Sequence, residues 1–418
     1  MTKVFRRSQD HTAVRASLRA VFAGVAVLPG FAALAGVAML AAVAAGCGDD
    51  EPPAAVDPCI DLASGTACTW AGLKGEEGYN GDHHRIGTRL NQVQDLVFLP
   101  DGTAWLTDFN NYLLRRVLPD GNVESMVGWT DPVFPGDGPL SGIPSGGAAG
   151  TEWQLNHPTN LLLNPDGSIT LVAWHNHKIL HIDPLTGYVT VVCGGGAGFA
   201  GDGGPAASAL FKQPDDATYD DAGNLYIVDQ QNQRVRRIGV DGNISTIAGT
   251  GVAGATGDGG PALEATFSWA VGSNPNPSGG IVHHAGKLYV SDTENDRIRV
   301  VDLATGAVDA FAGTGEAGDG GDGGPALAAR LHSPRDLEIG PDGDLYFADT
   351  DNSRVRAINL TTNVIRTVVG TGELGLDDRE RLPAAETVLR RPFGVAFDNE
   401  GNLYVMDTLN SRIVKVAR

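Results

Sequence analysis

Residues 223–236 read Gly-Asn-Leu-Tyr-Ile-Val-Asp-Gln-Gln-Asn-Gln-Arg-Val-Arg, and this stretch decides the fold because it recurs along the chain. Residues 343–356 read Gly-Asp-Leu-Tyr-Phe-Ala-Asp-Thr-Asp-Asn-Ser-Arg-Val-Arg, which aligns with the first stretch without a gap. Further copies occupy residues 286–299 and 401–414, and weaker copies occupy residues 102–115 and 167–180. Self-similarity at a regular period is the signature of a repeat architecture.

Each copy contains four short runs with strand character. In the third copy these are residues 217–219, 225–228, 235–238 and 244–248, and turn sequences such as Asp-Asp-Ala-Gly join them. Four antiparallel strands per copy predict a propeller blade, so six copies predict an all-β, six-bladed β-propeller. The last copy stops at Arg418 after its third strand, while residues 67–72 resemble a fourth strand. We therefore expect the N-terminal strand to complete the sixth blade and close the ring.

The composition agrees with a turn-rich β fold and limits the partners. Glycine contributes 57 of 418 residues, about 14%, which is roughly twice the usual share. The hydrophobic share of 42% provides a large core and excludes a chain that is disordered throughout. Asp and Glu exceed Lys and Arg by 50 to 30, giving a formal charge of −20. This acidic balance argues against a nucleic-acid partner, whose phosphates need basic side chains.

The pattern Asp-x-x-Asn-x-Arg-[Ile/Val]-Arg after Gly-Asn-Leu-Tyr resembles the NHL repeat. The linkers Gly-Asp-Gly-Gly-Pro-Ala at residues 201–206, 257–262 and 321–326 are similar to those of bacterial extracytoplasmic NHL proteins. The resemblance covers residues 66–418 and implies one six-bladed propeller domain. It implies no single function, because the family includes RNA binders, sensor domains, an amidating lyase and lipoproteins.

The N-terminus has the features of a targeting segment. A basic start precedes an apolar stretch over residues 20–46, which ends in Ala-Ala-Gly-Cys47. This ending resembles the lipobox of bacterial lipoproteins, which implies that residues 1–46 are a removed signal peptide and that Cys47 is lipidated. Residues 47–65 would then tether the propeller to a membrane of the bacterial cell envelope. The alternative is an uncleaved membrane-spanning helix, and either interpretation places the remaining chain outside the cytoplasm.

Three further cysteines lie beyond the tether's start. Cys59 and Cys68 are close in sequence and would face an oxidising compartment, so we expect a disulfide between them. Cys193 lies in an apolar run where other copies carry a small residue, and we expect a buried side chain there.

The Asp and Arg of the motif stand five residues apart, on either side of a tight turn. We expect them to form one structural ion pair per blade, and a charged binding surface is the alternative. The predicted pairs are Asp229–Arg234, Asp292–Arg297, Asp349–Arg354 and Asp407–Arg412. The first two copies lack this pair, because Asp108 aligns with Leu113 and Ala173 aligns with Lys178.

The residue thirteen positions before each motif Asp marks the start of the innermost strand. These residues are Asp95, Asn160, Asp216, Gly279, Asp336 and Gly394. Inner strands of a propeller converge on one mouth of the central channel, so Asp95, Asn160, Asp216 and Asp336 are candidate ligand-binding residues there. Clustered carboxylates repel one another, so either one is protonated or a cation lies among them. Asp95, Asp216 and Asp336 are thus candidate ligands for Ca²⁺ or another divalent cation, unless each merely caps its own turn.

Two further features are predicted to surround the same mouth. The linkers carry Asp202, Asp258 and Asp322, either as turn residues or as calcium ligands. The fourth copy has an insertion around residues 267–278, in which Trp269 is a candidate stacking platform and Asn274 a candidate ligand contact. A simple solvent-exposed loop is the alternative for the insertion.

The motifs of common catalytic centres are missing from the sequence. There is no Gly-x-Ser-x-Gly elbow, Cys-x-x-Cys pair or His-Glu-x-x-His run. The sequence therefore favours a monomeric, membrane-tethered binding or scaffold propeller that recognises a protein, glycan or other envelope ligand on its acidic upper face. The alternatives are a metal-dependent propeller enzyme of the lyase or lactonase kind, with its site at the channel mouth, and a purely structural protein.

Overall fold

The computed structural model describes residues 57–130, 135–138, 146–273 and 275–418, and these contain no α-helix. The strands are β1 Thr66–Ala71, β2 Leu96–Phe98, β3 Ala104–Asp108, β4 Leu113–Val117, β5 Val123–Val127, β6 Pro158–Leu163, β7 Ile169–Ala173, β8 Lys178–Ile182, β9 Val189–Cys193, β10 Pro214–Tyr219, β11 Leu225–Asp229, β12 Arg234–Ile238, β13 Ile244–Ala248, β14 Gly260–Pro261, β15 Ile281–His284, β16 Lys287–Asp292, β17 Arg297–Asp302, β18 Ala307–Ala312, β19 Pro334–Ile339, β20 Leu345–Asp349, β21 Arg354–Ile358, β22 Ile365–Val369, β23 Leu382–Pro383, β24 Gly394–Phe397, β25 Leu403–Asp407 and β26 Arg412–Val416.

Short 3₁₀ turns connect many of these strands. They are Phe109–Asn111, Gly150–Glu152, Ala206–Ser208, Gln230–Asn232, Ala262–Glu264, Thr293–Asn295, Ala326–Ala328, Thr350–Asn352, Ala384–Glu386 and Thr408–Asn410.

The strands form six antiparallel sheets, one for each sequence copy. Blade 1 is β2–β5, blade 2 is β6–β9, blade 3 is β10–β13, blade 4 is β15–β18 and blade 5 is β19–β22. Blade 6 is built on β24, β25 and β26. The predicted all-β, six-bladed propeller is therefore confirmed, and in blade 3 the strands differ from the predicted runs by three residues at most.

The turn between the second and third strands of a blade explains why the motif is so regular. In blade 3 the Nδ2 of Asn232 donates to the Oδ2 of Asp229 at 2.8 Å, which holds the 3₁₀ turn closed. The next residue, Gln233, has φ +52°, a left-handed conformation that non-glycine residues adopt only when the surroundings impose it. The same left-handed position recurs in all six blades, at Tyr112, His177, Gln233, Asp296, Ser353 and Ser411.

Apolar side chains fill the space between neighbouring blades. The core between blades 1 and 2 contains the fully buried Trp105 and Trp153, together with Leu114 and Leu171. Cys193 is buried in the core between blades 2 and 3, as predicted, and burial raises the pKa of its thiol to about 12.

The N-terminal strand pairs with the last strand of the chain. β1 lies antiparallel to β26, with Ala67 opposite Val416, and occupies the outer position of the blade 6 sheet beside β23. The Cys59–Cys68 disulfide is formed next to it, as expected. Beyond β1, the Nζ of Lys74 donates to the carbonyls of residues 377, 378 and 379 and forms a 2.6 Å ion pair with Glu380.

The predicted ion pairs form in two blades and are wrong in two others. Asp292–Arg297 and Asp407–Arg412 contact at 3.1 and 2.7 Å. Asp229 lies opposite Arg234 in the sheet, but its carboxylate contacts Arg236 at 3.2 Å. Likewise, Asp349 pairs with Arg356 at 3.3 Å, while Arg354 contacts Asp319.

The reason is the position of the second arginine of the motif. Arg236 is fully buried beneath the turn, where its guanidinium reaches both Asp229 and the linker residue Asp202. The guanidinium of Arg234 instead lies over the ring of Phe199, at the junction between blades that we call the seam. It donates hydrogen bonds to the backbone carbonyls of Asn232 and Thr250. Blade 1 also has this deeper pair, Asp108–Arg115 at 3.2 Å, which the five-residue spacing did not reveal. In blade 6 a valine occupies the deeper position, so Arg412 takes the pair.

The glycine-rich linkers lie on the outer edge of the blades, so the prediction that they surround the channel mouth is wrong. Asp202 accepts from Arg236 at 3.0 Å and from Thr246 on the outer strand β13 at 2.7 Å. Asp258 and Asp322 pair in the same way with Arg299 and Arg356. Each linker runs along the outer strand of the blade it enters and so covers a sheet edge before the chain turns inward.

The predicted signal peptide, residues 1–46, and Cys47 lie outside the described residues. Along the described part of the chain, no helix combines the length and apolar character needed to cross a membrane.

Candidate functional site

Asp95 joins blade 1 to blade 2 at the mouth of the central channel. Its Oδ2 accepts the backbone N–H of Leu161 at 2.7 Å and the side-chain amide of Asn160 at 3.1 Å. Its Oδ1 accepts the N–H of Leu96 at 2.7 Å. The carboxyl group therefore caps the start of its own strand and also reaches across to the next blade.

The same link recurs at two other seams. Asp216 of blade 3 accepts the N–H of Ile281 in blade 4, and Asp336 of blade 5 accepts the N–H of Val395 in blade 6, each at 2.7 Å. By the thirteen-residue spacing, the even-numbered blades carry Asn160, Gly279 and Gly394 instead. The links therefore join blades 1 with 2, 3 with 4, and 5 with 6.

The mouth brings several carboxyl groups together in a poorly solvated space. Burial, reinforced by the charge of Asp336, raises the pKa of Asp95 and Asp216 well above the ordinary range. Burial likewise raises the pKa of Asp336 and of Asp215 to about 7, although Arg335 opposes the shift of Asp215. Deeper in the channel, burial and then Asp336 raise the pKa of Glu338 to about 8. Burial therefore favours the protonated form of these carboxyl groups.

A small cavity of about 40 Å³ opens at the mouth, and a channel of about 250 Å³ continues below it along the inner strands. The three aspartates, Asn160 and Gln94 contribute its polar wall, together with Thr159, Asp215 and Arg335. Phe393, Pro277 and Gly279 complete the lining. Predicted and unpredicted residues thus meet in one concave site.

Arg335 is the most informative residue of this site. It is 5% exposed, and among the described residues neither its Nε nor its Nη1 has a hydrogen-bond partner. Its guanidinium lies over the ring of Phe393, 4.1 Å from the centroid, and Ser291 donates to its backbone carbonyl at 2.7 Å. Burial lowers the pKa of Arg335 to about 10, which keeps it charged at neutral pH. A fixed, buried cation with free donors thus lines the mouth.

Asn160 lines the same cavity, and its Oδ1 is a buried acceptor without a hydrogen-bond partner among the described residues. Its Nδ2 is held by Asp95, so the orientation of the amide is fixed. An unsatisfied buried donor or acceptor costs about 1–3 kcal/mol, so these atoms mark a place where a bound molecule gains free energy.

The predicted metal set is not assembled. The Oδ2 atoms of Asp95, Asp216 and Asp336 accept backbone N–H groups, and within the described ranges no three His, Cys, Asp or Glu side chains converge closely enough to hold a metal ion. The linker aspartates lie outside the mouth, paired with arginines. Their carboxylates therefore serve the blade structure.

The stacking role predicted for Trp269 is wrong. Its side chain is 1% exposed, stacks on Phe267 at 5.0 Å and donates from Nε1 to the carbonyl of Ser291. This tryptophan therefore belongs to the core between blades 3 and 4. Asn274 lies outside the described residues, so its predicted ligand contact stays a prediction.

One set of equivalent residues at the mouth was not predicted from the sequence. The positions fourteen before each motif Asp include Gln94, Thr159, Asp215, Arg335 and Phe393, and all of these line the cavity. Bulges explain why adjacent side chains share it, since the register shifts between Pro214 and Ala217 in blade 3, and similarly in blades 2 and 5. Arg335 is the one arginine among these equivalent positions, and this difference in the sequence could have pointed to the site.

A histidine cluster lies on the same end of the ring, at the seams of blades 1, 2 and 3. The Nδ1 atoms of His157 and His175 are 2.8 Å apart, so one of them must be unprotonated. Burial lowers the pKa of both to about 4. His177 accepts the backbone N–H of Gln213 at 3.0 Å. These imidazoles are therefore neutral and are hydrogen-bonded within the protein.

A larger cavity of about 690 Å³ lies at the opposite end, between the turns of blades 3 and 4. Its carboxylate Asp220 already accepts the hydroxyl of Tyr226 and the amide of Asn224. The guanidinium of Arg237 donates to Asn224 at 2.6 Å. These polar groups are satisfied within the protein, unlike those of the mouth.

The six sheets define the chain as a six-bladed β-propeller, and its recurring motif is that of the NHL repeat. A family model of the teneurin NHL domain matches residues 280–379. The Arabidopsis thaliana protein SUPPRESSOR OF QUENCHING 1, chloroplastic, is 27% identical over 302 residues, which covers 69% of this chain and 27% of that protein. Teneurin-1 of Caenorhabditis elegans is 25% identical over 363 residues, covering 77% of this chain and 12% of that protein. The chain thus spans about a quarter or less of these relatives.

Solved structures share the fold at low sequence identity. A Bacteroides thetaiotaomicron protein of unknown function superposes with a TM-score of 0.61 at 14% identity, covering 84% of this chain and 75% of that one. An auxiliary nutrient binding protein from Bacteroides ovatus superposes with a TM-score of 0.57 at 14% identity, covering 84% of this chain and 76% of that one.

Proposed function

We propose that this protein is an extracytoplasmic binding propeller that takes a polar ligand of the cell envelope at the mouth of its central channel. The observation that carries the proposal is Arg335, a buried residue of the cavity wall whose guanidinium Nε and Nη1 have no hydrogen-bond partner among the described residues. Binding sites in proteins are concave, with a few fixed polar groups among apolar walls. Arg335, Asn160 and Phe393 provide this combination.

Three observations support the extracytoplasmic location. The Cys59–Cys68 disulfide suits an oxidising compartment. The ending Ala-Ala-Gly-Cys47 resembles a lipobox and supports a lipid anchor. The Bacteroides proteins of the same fold include two that are described as auxiliary nutrient binding proteins, which supports the capture of a ligand.

The ligand site is tested with the full chain immobilised and exposed to envelope extracts. We expect one component to be retained by the native protein and lost in Arg335→Gln, which removes the buried charge. The matched control is Arg330→Gln, because the side chain of Arg330 is exposed and pairs with the exposed Glu316 at 2.7 Å. Equal retention by both variants would place the ligand elsewhere and refute the proposed site.

The anchor is tested by cell fractionation. Cys47→Ser is expected to move the protein from the membrane to the soluble fraction, whereas Cys193→Ser, at a buried cysteine, leaves it in the membrane. Unchanged partition of the Cys47 variant would contradict lipid anchoring.

A further inference from the structure

In the described part of the chain, the cavity at the mouth is lined by one residue with unused hydrogen-bond donors and by another with an unused acceptor. Arg335 offers Nε–H and Nη1–H donors, and Asn160 offers the Oδ1 acceptor. A hydroxyl group both donates and accepts, so one hydroxylated ligand can satisfy the two sides together. This further inference rests on the proposed binding function of the mouth.

Ions satisfy only one side of this arrangement. A divalent cation would face the charge of Arg335 and would compete with backbone N–H groups for the oxygens of Asp95, Asp216 and Asp336. An anion would pair with Arg335 but would leave the Oδ1 of Asn160 without a donor. A neutral ligand meets neither obstacle.

The size and walls of the cavity narrow the ligand further. About 40 Å³ accommodates a few water-sized groups, so a hydroxymethyl group fits and a whole ring stays outside. The ring of Phe393 and the side chain of Pro277 provide the apolar wall that the carbon atoms of such a group need. The guanidinium is fixed on Phe393 before binding, which limits the entropy lost when the ligand enters.

We infer that the mouth binds the hydroxymethyl group of a neutral sugar. Arg335 of blade 5 and Asn160 of blade 2 hydrogen-bond this group from opposite sides of the channel, while the pyranose ring of the sugar remains outside the cavity.

The test compares matched probes by isothermal titration calorimetry on the full chain. Glucose and glucuronate differ only in that a carboxylate replaces the hydroxymethyl group, and galactose and galacturonate form a second such pair. CaCl₂ alone tests the cation. We expect a neutral sugar to bind at least tenfold more tightly than its uronate, and Arg335→Gln to weaken that binding about tenfold or more while Arg330→Gln has no effect.

Two outcomes would overturn the inference. One is preferred binding of a uronate or of Ca²⁺, and the other is the absence of saturable binding by either neutral sugar. The comparison of probes uses the native protein, so it remains decisive even where Arg335→Gln does not fold. Loss of the envelope component in Arg335→Gln without sugar binding would leave the proposed function intact and refute the sugar alone.

Discussion

The carboxyl group of Asp216 in blade 3 accepts the backbone N–H of Ile281 in blade 4 at 2.7 Å, across the seam between two blades. Asp216→Ala leaves this buried N–H unsatisfied, so we expect the free energy of unfolding to fall by about 1–3 kcal/mol. Urea denaturation measures the loss, and hydrogen exchange at Ile281 locates it. Asp221→Ala is the control, because Asp221 lies exposed in a nearby turn. An equal loss in both variants would disprove the interblade role.

Glu338 makes the fold sensitive to alkaline pH. Since burial raises its pKa to about 8, the folded protein keeps a proton that the unfolded chain releases near pH 4.5. The stability that this group contributes is complete below that pH and is lost as the pH rises toward 8. Glu338→Gln should therefore raise the unfolding free energy by about 1–3 kcal/mol at pH 9 and change it little at pH 4. Denaturation at both pH values decides the matter, and equal effects would contradict the burial argument.

His177 produces the opposite dependence at acid pH. Burial, together with Lys178 and Lys212 and against the effect of Asp137, lowers its pKa, and its neutral Nδ1 accepts the N–H of Gln213. Stability from this group is complete above the unfolded pKa near 6.5 and is lost as the pH falls through the lower folded value. The protection factor of the Gln213 amide in hydrogen exchange, taken relative to the intrinsic rate at each pH, should fall as the pH drops below 6.5. In His177→Asn, whose amide oxygen can accept without protonation, this loss of protection should disappear, and its persistence would exclude His177 as the cause.

The two arginines of the motif should differ sharply in their effect on stability. Arg236→Met removes a buried cation and leaves Asp229 uncompensated, which we expect to cost about 3–5 kcal/mol. Arg234→Met removes a seam contact and should cost about 1 kcal/mol or less. Urea titrations of the two variants provide the comparison. A larger loss of unfolding free energy in Arg234→Met than in Arg236→Met would instead support the pair predicted from the five-residue spacing, Asp229–Arg234.

Lys74 tests whether β1 closes the ring. Its ammonium group holds the segment over residues 377–380, so Lys74→Met is expected to cost about 1–3 kcal/mol and to expose β26 to hydrogen exchange. Lys287→Met is the control, since Lys287 is an exposed lysine in β16 of blade 4, outside both β1 and β26. If β26 stays protected in the Lys74 variant, this contact does not secure the N-terminal strand.

The fold was predictable because the same pattern of strands and turns occurs separately in each of the six copies. Turn sequences and alternating apolar runs place β11 and β13 to within one residue, and six copies leave little choice of architecture. Side-chain partners were less predictable. Spacing along the chain indicated that Asp229 faces Arg234, but it carried no information on which of the two arginines lies deep enough in the blade to reach the carboxylate.

The candidate site was predictable only in part, for a related reason. Asp95, Asp216 and Asp336 follow from the convergence of inner strands, whereas Asp215 and Arg335 share the cavity because bulges interrupt the alternation of faces. Trp269 misled because an inserted aromatic residue is equally suited to a core and to a binding surface. Only the tertiary packing against Phe267 distinguishes these roles.

The alternation of aspartates around the channel has a consequence for redesign of the ring. Asp95, Asp216 and Asp336 divide the propeller into three two-blade cassettes, each internally linked at its inner edge. Inserting or deleting a single blade would leave one carboxyl facing another or one amide without an acceptor. Exchange of a whole cassette keeps every link, so even-numbered changes are the ones that this ring should tolerate.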